Sequence, residues 1–392
     1  MPLYEPTCEA FLLKYINHIV VVVLLGLLAA CGPGPGGPAP GGGTRAYNGA
    51  ASTGDHLTFT LDPASGVLSY HDLSNGVRSS RVTFTQAVDG SLAFSDPIHN
   101  LVALEELPGT ALLAVIQKAG ARRNAHALVV ALPSQTLTPG ALAGLSANFM
   151  QFRPGRGGIA VGTLKGGFGG SFQSVSFQPY ADLLGGGAEP FVQAGITGRA
   201  VSQGATGDYL GIARFQEGTA YAFGNPKAWF AVDTPQGSLL TFPKAAGPGF
   251  PAAARGVYSA LVYEKTGAGM AAPGAPETGS IATGPVTVTI GGALPNSITA
   301  VDGDGKVLLN AVPLLPISSF SLTGPGGLGD ACNGLFAYEI PATNPASTQW
   351  VFVAFPPGGI VFSSFLGHGA AGPGHGAAYD YFYGAGVLQP AP

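Results

Sequence analysis

The sequence predicts an all-β fold: antiparallel β-sandwich or barrel units, in two β domains. Three observations carry this. Of 392 residues, 62 are Gly and 33 are Pro, almost a quarter of the chain; Gly costs backbone entropy in a helix and Pro lacks the amide donor, so long helices are disfavoured. Short runs of period-two alternation recur about every 8 to 12 residues between turn residues, the spacing of sandwiches and barrels. Hydrophobic residues make up 46% and aromatics 9%, enough to build a core and to exclude disorder throughout.

From Tyr47 onward the alternating runs are His56 to Leu61, Val67 to Tyr70, Val82 to Thr85 and Leu92 to Phe94. Between the last two, Asp89-Gly90 supplies the positive backbone dihedrals of a tight hairpin, so the region reads as a meander. Ala111 to Gln117 is apolar enough for a short helix or a strand. A strand pair is preferred, because Leu107-Pro108-Gly109 places Pro and Gly at the two central positions of a turn and no amphipathic stripe is present. Further strands are expected at 159–164, 172–177, 209–215, 220–223, 229–232, 239–242 and 257–263. A stretch with almost no large apolar residue, 266–284, reads as a linker. After it come strands at 286–290, 298–301, 307–309, 320–322, 335–340, 350–355 and 360–365. The expected organisation is thus 47–265 for the first β-rich domain and 285–392 for the second. Two segments share the spelling F-x-[LV]-D-x3-G-x-L, at Phe59 to Leu68 and Phe230 to Leu239. An Asp that caps turn amides and a Gly that leaves the turn with positive φ explain the spelling; it marks either related hairpins or a reused turn.

The N-terminus carries a different signal. Ile19 to Ala30 is an uninterrupted apolar run of 12 residues, too short for the roughly 20 that span a bilayer but suited to the core of a secretory signal. The run closes on Leu28-Ala29-Ala30-Cys31, with small side chains where a peptidase pocket needs them and a thiol to carry a lipid. This tetrad resembles the lipobox of bacterial lipoproteins. The resemblance implies a signal peptide at 1–30, cleavage before Cys31, acylation of Cys31, and, with Gly32 rather than Asp following, an outer-membrane location. The rest of the chain resembles only uncharacterised Gly-rich envelope lipoproteins in general character. Several acyl chains give stable anchorage where a single one is marginal. With Glu5 and Glu9 against Lys14, the charge before the apolar run places the expected translation start further in, at Leu12 or Leu13. The lipidated Cys31 and the stretch to residue 46, dominated by GPGPGGPAPGGG, read as a tether. With Cys8 removed and Cys31 acylated, Cys332 stands alone, forms no intramolecular disulfide and is expected to be a buried small apolar residue.

For function, the composition excludes more than it assigns. A net charge of −4, with no basic stripe, excludes nucleic acid as a partner. No G-x-S-x-G, H-E-x-x-H, Walker A, C-x-x-C or S-x-x-K spelling occurs. Gly324 to Gly329 matches G-x-G-x-x-G, but no helix pattern follows it, so it reads as a loop. Asp302-Gly303-Asp304-Gly305-Lys306 begins like a calcium loop, yet Lys306 stands at a ligand position, and the segment reads as a hairpin turn. No metal site and no cofactor are assigned; the nearest approach to a metal site is His368, His375 and Asp380, on a Gly-rich loop that lacks the rigidity ligands need. Arg122, Arg123 and His126 read as a solvated loop. Glu105 and Glu106, adjacent on a strand, point to opposite faces and so do not form a carboxylate pair.

Charged residues are only 10% of the chain, against about 25% in typical domains, so much of the surface is Gly, Ala, Ser, Thr and aromatic. That suits adhesion, self-association or carbohydrate contact. The expected function is therefore a non-catalytic binding or structural role for a protein held on the membrane by its lipid, with an envelope protein or polysaccharide as partner. The alternative is an envelope hydrolase acting on glycans or peptides, with Asp208, Asp233 and Glu264 as its candidate acids.

Overall fold

A computed structural model describes residues 43–52, 55–86, 92–96, 101–117, 126–134, 144–153, 158–166, 172–177, 191–192, 200–202, 213–215, 221–234, 237–269, 280–292, 294–317, 333–340, 349–368 and 378–389. The chain is all-β, as expected, and residues 43–392 form one compact unit. Among the described residues every strand pairing is antiparallel, and the strands fall into three sheets. The first contains β1 (Arg45–Ala51), β2 (His56–Asp62), β3 (Val67–Asp72), β4 (Val77–Gln86), β5 (Leu92–Ser95), β6 (Leu101–Leu107), β7 (Ala111–Gln117) and β8 (His126–Pro133). The second contains β9 (Ser146–Arg153), β10 (Gly158–Gly166), β11 (Phe172–Phe177), β12 (Phe191–Val192), β13 (Ala200–Ser202), β14 (Ala213–Phe215), β15 (Tyr221–Gly224), β16 (Phe230–Thr234) and β17 (Gly237–Pro243). The third contains β18 (Gly256–Gly269), β19 (Ser280–Ile290), β20 (Ser297–Asp302), β21 (Val307–Pro313), β22 (Leu315–Pro316), β23 (Leu335–Ile340), β24 (Gln349–Ala354), β25 (Gly359–His368) and β26 (Ala378–Leu388).

All three sheets have one topology. Each is an up-and-down meander whose first strand pairs with its last, β1 with β8, β9 with β17 and β18 with β26, and whose one seam falls between consecutive strands, β5 and β6, β12 and β13, and β21 and β22. The first and third are nearly closed, barrel-like sheets. In the third, β21 and β22 are separated by Leu314 alone and run in the same direction, so Val307–Pro316 is in effect one bent strand. Its first part bonds to β20 and its end to β23, which carries the ring across the seam. Within its first part a bulge sets Asn310 and Ala311 opposite Thr299, and Ala311 there has φ 47°.

Alternation fills both barrels. Leu57, Phe59, Leu61, Leu68, Tyr70, Val82, Leu112, Ala114 and Val129 line the core of the first; Tyr258, Ala260, Val262, Val288, Ile298, Phe336, Phe362 and Phe382 belong to that of the third. A third cluster lies between sheets and draws Leu113, Val130, Met150, Phe223, Leu240, Tyr263 and Phe352 from all of them. Strand β7 is buried on both faces, which explains why ALLAVIQ reads as a continuous apolar run. Trp229 fixes the second sheet to the third: its Nε1–H donates to the Pro357 carbonyl at 3.0 Å, and its indole lies over Gly359.

The turns follow the expected chemistry. Thr110 donates to the Leu107 carbonyl across Pro108 and Gly109, with Gly109 at φ 70°. Asp62, Asp72 and Asp302 each accept turn amides through a side-chain oxygen, and Gly66, Gly76 and Gly305 leave those turns with positive φ. The two F-x-[LV]-D segments are both hairpins, β2–β3 and β16–β17, but hold different places in their sheets. The segment 266–284, expected as a linker, instead contains the end of β18 and the start of β19, paired to each other as far as Thr266 and Ser280. The third sheet accordingly begins at Gly256, and the span 47–265 holds the first two sheets and part of β18.

Candidate functional site

The candidate site is the outer face of β2 to β5. Leu57, Phe59 and Leu61 point into the barrel, which turns Thr58 and Thr60 outward; the register then sets Thr60 beside Ser69, Thr58 beside His71, and His71 beside Arg78. Thr83 stands opposite Val67 on one side and Ser95 on the other, and Thr85 opposite Ala93. Thr60, Thr83, Thr85, Ala93 and Ser95 are exposed, while Thr58, Ser69 and His71 are half-buried. Strand spacing of about 4.8 Å makes this a grid of hydroxyls. Its cations, Arg78 and the exposed Arg81, lie on β4 toward the β3–β4 turn. At the opposite end Asp62 caps the β2–β3 turn, where the Ser65 hydroxyl and the amides of Ser65 and Ala64 hold its carboxyl below the usual range.

Inside the barrel the ionisable groups are satisfied. Glu106 accepts Arg45 Nε at 2.7 Å, Arg45 Nη2 at 2.8 Å and the Tyr47 hydroxyl at 2.6 Å. The hydrogen bond to Glu106 raises the Arg45 guanidinium above its ordinary value, and burial followed by the Glu106 charge raises the Tyr47 phenol. Glu105 points the other way and accepts the Ser259 hydroxyl of β18 at 2.7 Å, so the two neighbours occupy opposite faces as the alternation requires. Asp96 is buried and accepts the Tyr70 hydroxyl at 3.2 Å and the Leu101 amide at 2.8 Å. His56 lies on the outside of the barrel against Phe223 of the second sheet, ring centroids 5.2 Å apart, and burial pushes its imidazole down to about 4. Where the three sheets meet, Ala50, Ser52, Val130, Ser238, Leu240 and Tyr383 are among the residues lining a mostly apolar cavity of about 20 Å³, room for one water.

Of the residues singled out from the sequence, the described Asp233 lies on β16 of the second sheet, and Glu264, His368 and Asp380 lie on β18, β25 and β26 of the third. Glu264 on β18 accepts the Lys306 ammonium at 2.7 and 3.0 Å, so its charge is compensated by the turn after β20. That turn is a hairpin: Asp302 Oδ1 accepts the amides of Asp304 and Lys306. Asp233 lies on β16 opposite Ser238 and Tyr221. His368 ends β25 and pairs with Ala378, and Asp380 on β26 pairs with Leu366. Asp208, His375, Arg122, Arg123, Cys332, Cys31, Asp89-Gly90 and Gly324 to Gly329 lie outside the described residues. Among the described residues no group of three or more His, Cys, Asp or Glu side chains is arranged to hold a metal, and no helix is long and apolar enough to cross a membrane. The hydroxyl grid was not found by sequence reasoning, although the Thr residues alternating with core positions on β2 and β4 carried the signal. Comparison with protein-family models, curated proteins and solved structures gives no match.

Proposed function

We propose that the chain is a lipid-anchored cell-envelope protein of the outer membrane, with a binding or structural role rather than a catalytic one. The observation that supports the binding role best is the hydroxyl grid of β2 to β5: uncharged donors and acceptors on a rigid, internally packed sheet match the hydroxyl groups of an envelope polysaccharide. Such contacts are individually modest, on the order of 1 kcal/mol each, so a grid gains its affinity from repetition along an extended chain. The anchor is supported by the spelling Leu28-Ala29-Ala30-Cys31 and the Gly/Pro stretch that follows.

Two measurements test the two halves of the proposal. Labelled palmitate enters the expressed wild-type chain, and Cys31→Ser abolishes both the label and retention in the membrane fraction; unchanged retention of the Ser variant refutes the anchor. Purified protein is retarded on a column of immobilised envelope polysaccharide, and the triple change Thr60→Lys, Thr83→Lys, Thr85→Lys abolishes the retardation. Equal elution of wild type and variant refutes the grid.

A further inference from the structure

The chain contains three Asn-Gly pairs among its described residues: Asn48-Gly49, Asn75-Gly76 and Asn333-Gly334. The chemistry open to this dipeptide is attack of the Gly amide nitrogen on the Asn side-chain carbonyl. The N–Cγ bond forms, the Cγ–Nδ2 bond breaks and ammonia leaves; water then opens the succinimide to Asp or to its backbone-inserted isomer. No redox change occurs and water is the only co-reactant. The missing Gly side chain makes the approach feasible, and the fold decides which pair can reach it.

The three environments differ. Asn48 lies in the middle of β1, 1% exposed and laddered to Thr58 and Leu132, and a Cβ at Gly49 would lie 2.7 Å from Val129, so the backbone there has no room to rearrange. Asn333 is half-buried; its carbonyl is held by the Asn148 side chain at 2.8 Å and the Ala245 amide at 2.9 Å, and Gly334 abuts Ala245. Asn75 is exposed in the β3–β4 turn, between strands rather than within one, and nothing lies within 4 Å of the Cβ position of Gly76. Its own amide is engaged with Asp72 Oδ1 at 3.0 Å, but the Gly76 amide, the attacking group, makes no hydrogen bond among the described residues.

We infer that Asn75 is a modification site of this protein, converted by spontaneous deamidation through Gly76 into a carboxylate that undoes the turn around it. The turn is held by Asp72, whose Oδ1 accepts the amides of Ser74 and Asn75, each at 3.0 Å, and whose Oδ2 accepts Asn75 Nδ2 at 2.7 Å. Deamidation replaces that donor by a second carboxylate at hydrogen-bonding distance from the first. An attraction becomes a like-charge contact, and the isomer with an inserted methylene also breaks the turn spacing. The new charge lies in the β3–β4 turn against Asp72, on the face of β3 opposite to His71. This inference holds whether or not the grid binds polysaccharide.

Peptide mapping by mass spectrometry, on the purified full chain incubated in warm, mildly alkaline buffer, tests it. The mass gain of deamidation accumulates at Asn75 several-fold faster than at Asn48 or Asn333, while in denaturant the three rates converge. Asn75→Gln keeps the amide, removes the five-membered cyclisation and abolishes the gain. Asn75→Asp reproduces the product and speeds hydrogen exchange in β3 and β4 with the rest of the first sheet unchanged. Equal native-state rates at the three sites, or no gain at Asn75 while the denatured chain reacts, overturns the assignment; unaltered exchange in Asn75→Asp overturns the consequence for the turn.

Discussion

Replacing Gly359 by Ala sets a methyl group where the third sheet has no space for one. The added Cβ would lie 2.2 Å from Trp229 Cζ2, 2.8 Å from Cη2 and 2.9 Å from the Gly386 carbonyl oxygen. The far end of a flexible side chain could give way, but this neighbour is an indole, 1% exposed and tied at Nε1 to Pro357, and behind the methyl is backbone. Overpacking of this kind costs about 1–3 kcal/mol, and release of the indole hydrogen bond adds about 1 kcal/mol, so a loss of roughly 2–4 kcal/mol is expected. Urea titration followed by fluorescence measures it directly, because the chain holds only two Trp, Trp229 and Trp350. If the clash is with the indole, Gly359→Ala costs much less in a Trp229→Leu background, giving a coupling of at least about 1 kcal/mol in the double-mutant cycle. A loss under about 0.5 kcal/mol in the single variant, the range of uneventful surface changes, or strict additivity in the cycle, would show that Trp229 does not hold the two sheets together in this way.

Arg45→Met leaves the buried Glu106 carboxylate with only Tyr47, and a thermal melt should show a loss of about 3–5 kcal/mol that Arg45→Met with Glu106→Leu largely restores. His56 makes stability fall with acid: its folded value of about 4 lies below its ordinary 6.5, so the unfolded chain takes up the proton first. The contribution is complete above 6.5 and is lost as pH falls toward 4, about 3 kcal/mol in all, and His56→Phe flattens that part of the urea-midpoint profile. Ala311→Gly relieves a left-handed residue at the bulge of the closing strand, and a urea midpoint should report a gain of about 0.5–1 kcal/mol, less than the full strain because Gly loses more entropy on folding.

The strands most legible in the sequence are those with one face in a barrel and one in water, such as β2 with Leu57, Phe59 and Leu61 alternating against Thr58 and Thr60. Strand β9, Ser146–Arg153, escapes that signal because the stretch from Ala147 to Gln151 is buried throughout, the polar Asn148 and Gln151 included. Strand β26 was hidden by Gly384 and Gly386, which look like loop residues. They are close-packing residues: a Cβ at Gly384 would meet the Phe362 ring at 2.4 Å, and one at Gly386 would meet Ala260 at 2.7 Å. The paired arms of β18 and β19 look like a linker for a similar reason, since Gly, Ala and Thr carry almost no hydrophobic contrast. For the candidate site, local rules correctly gave the opposed directions of Glu105 and Glu106 and the hairpin at Asp302. The meander of β2 to β5 was legible too; what local rules could not give was Lys306 reaching Glu264, or the residue-by-residue register, with its bulge in β3–β4, that sets particular Thr and Ser residues side by side. Those depend on long-range register, which no short spelling encodes.

That first and last strands are neighbours in every sheet bears on how such a chain can grow. The start of β1 lies beside the end of β8, so the polypeptide enters and leaves the first barrel at the same rim. A further barrel could be spliced into the gene between one sheet and the next, at 134–145 or 244–255, without threading one segment through another.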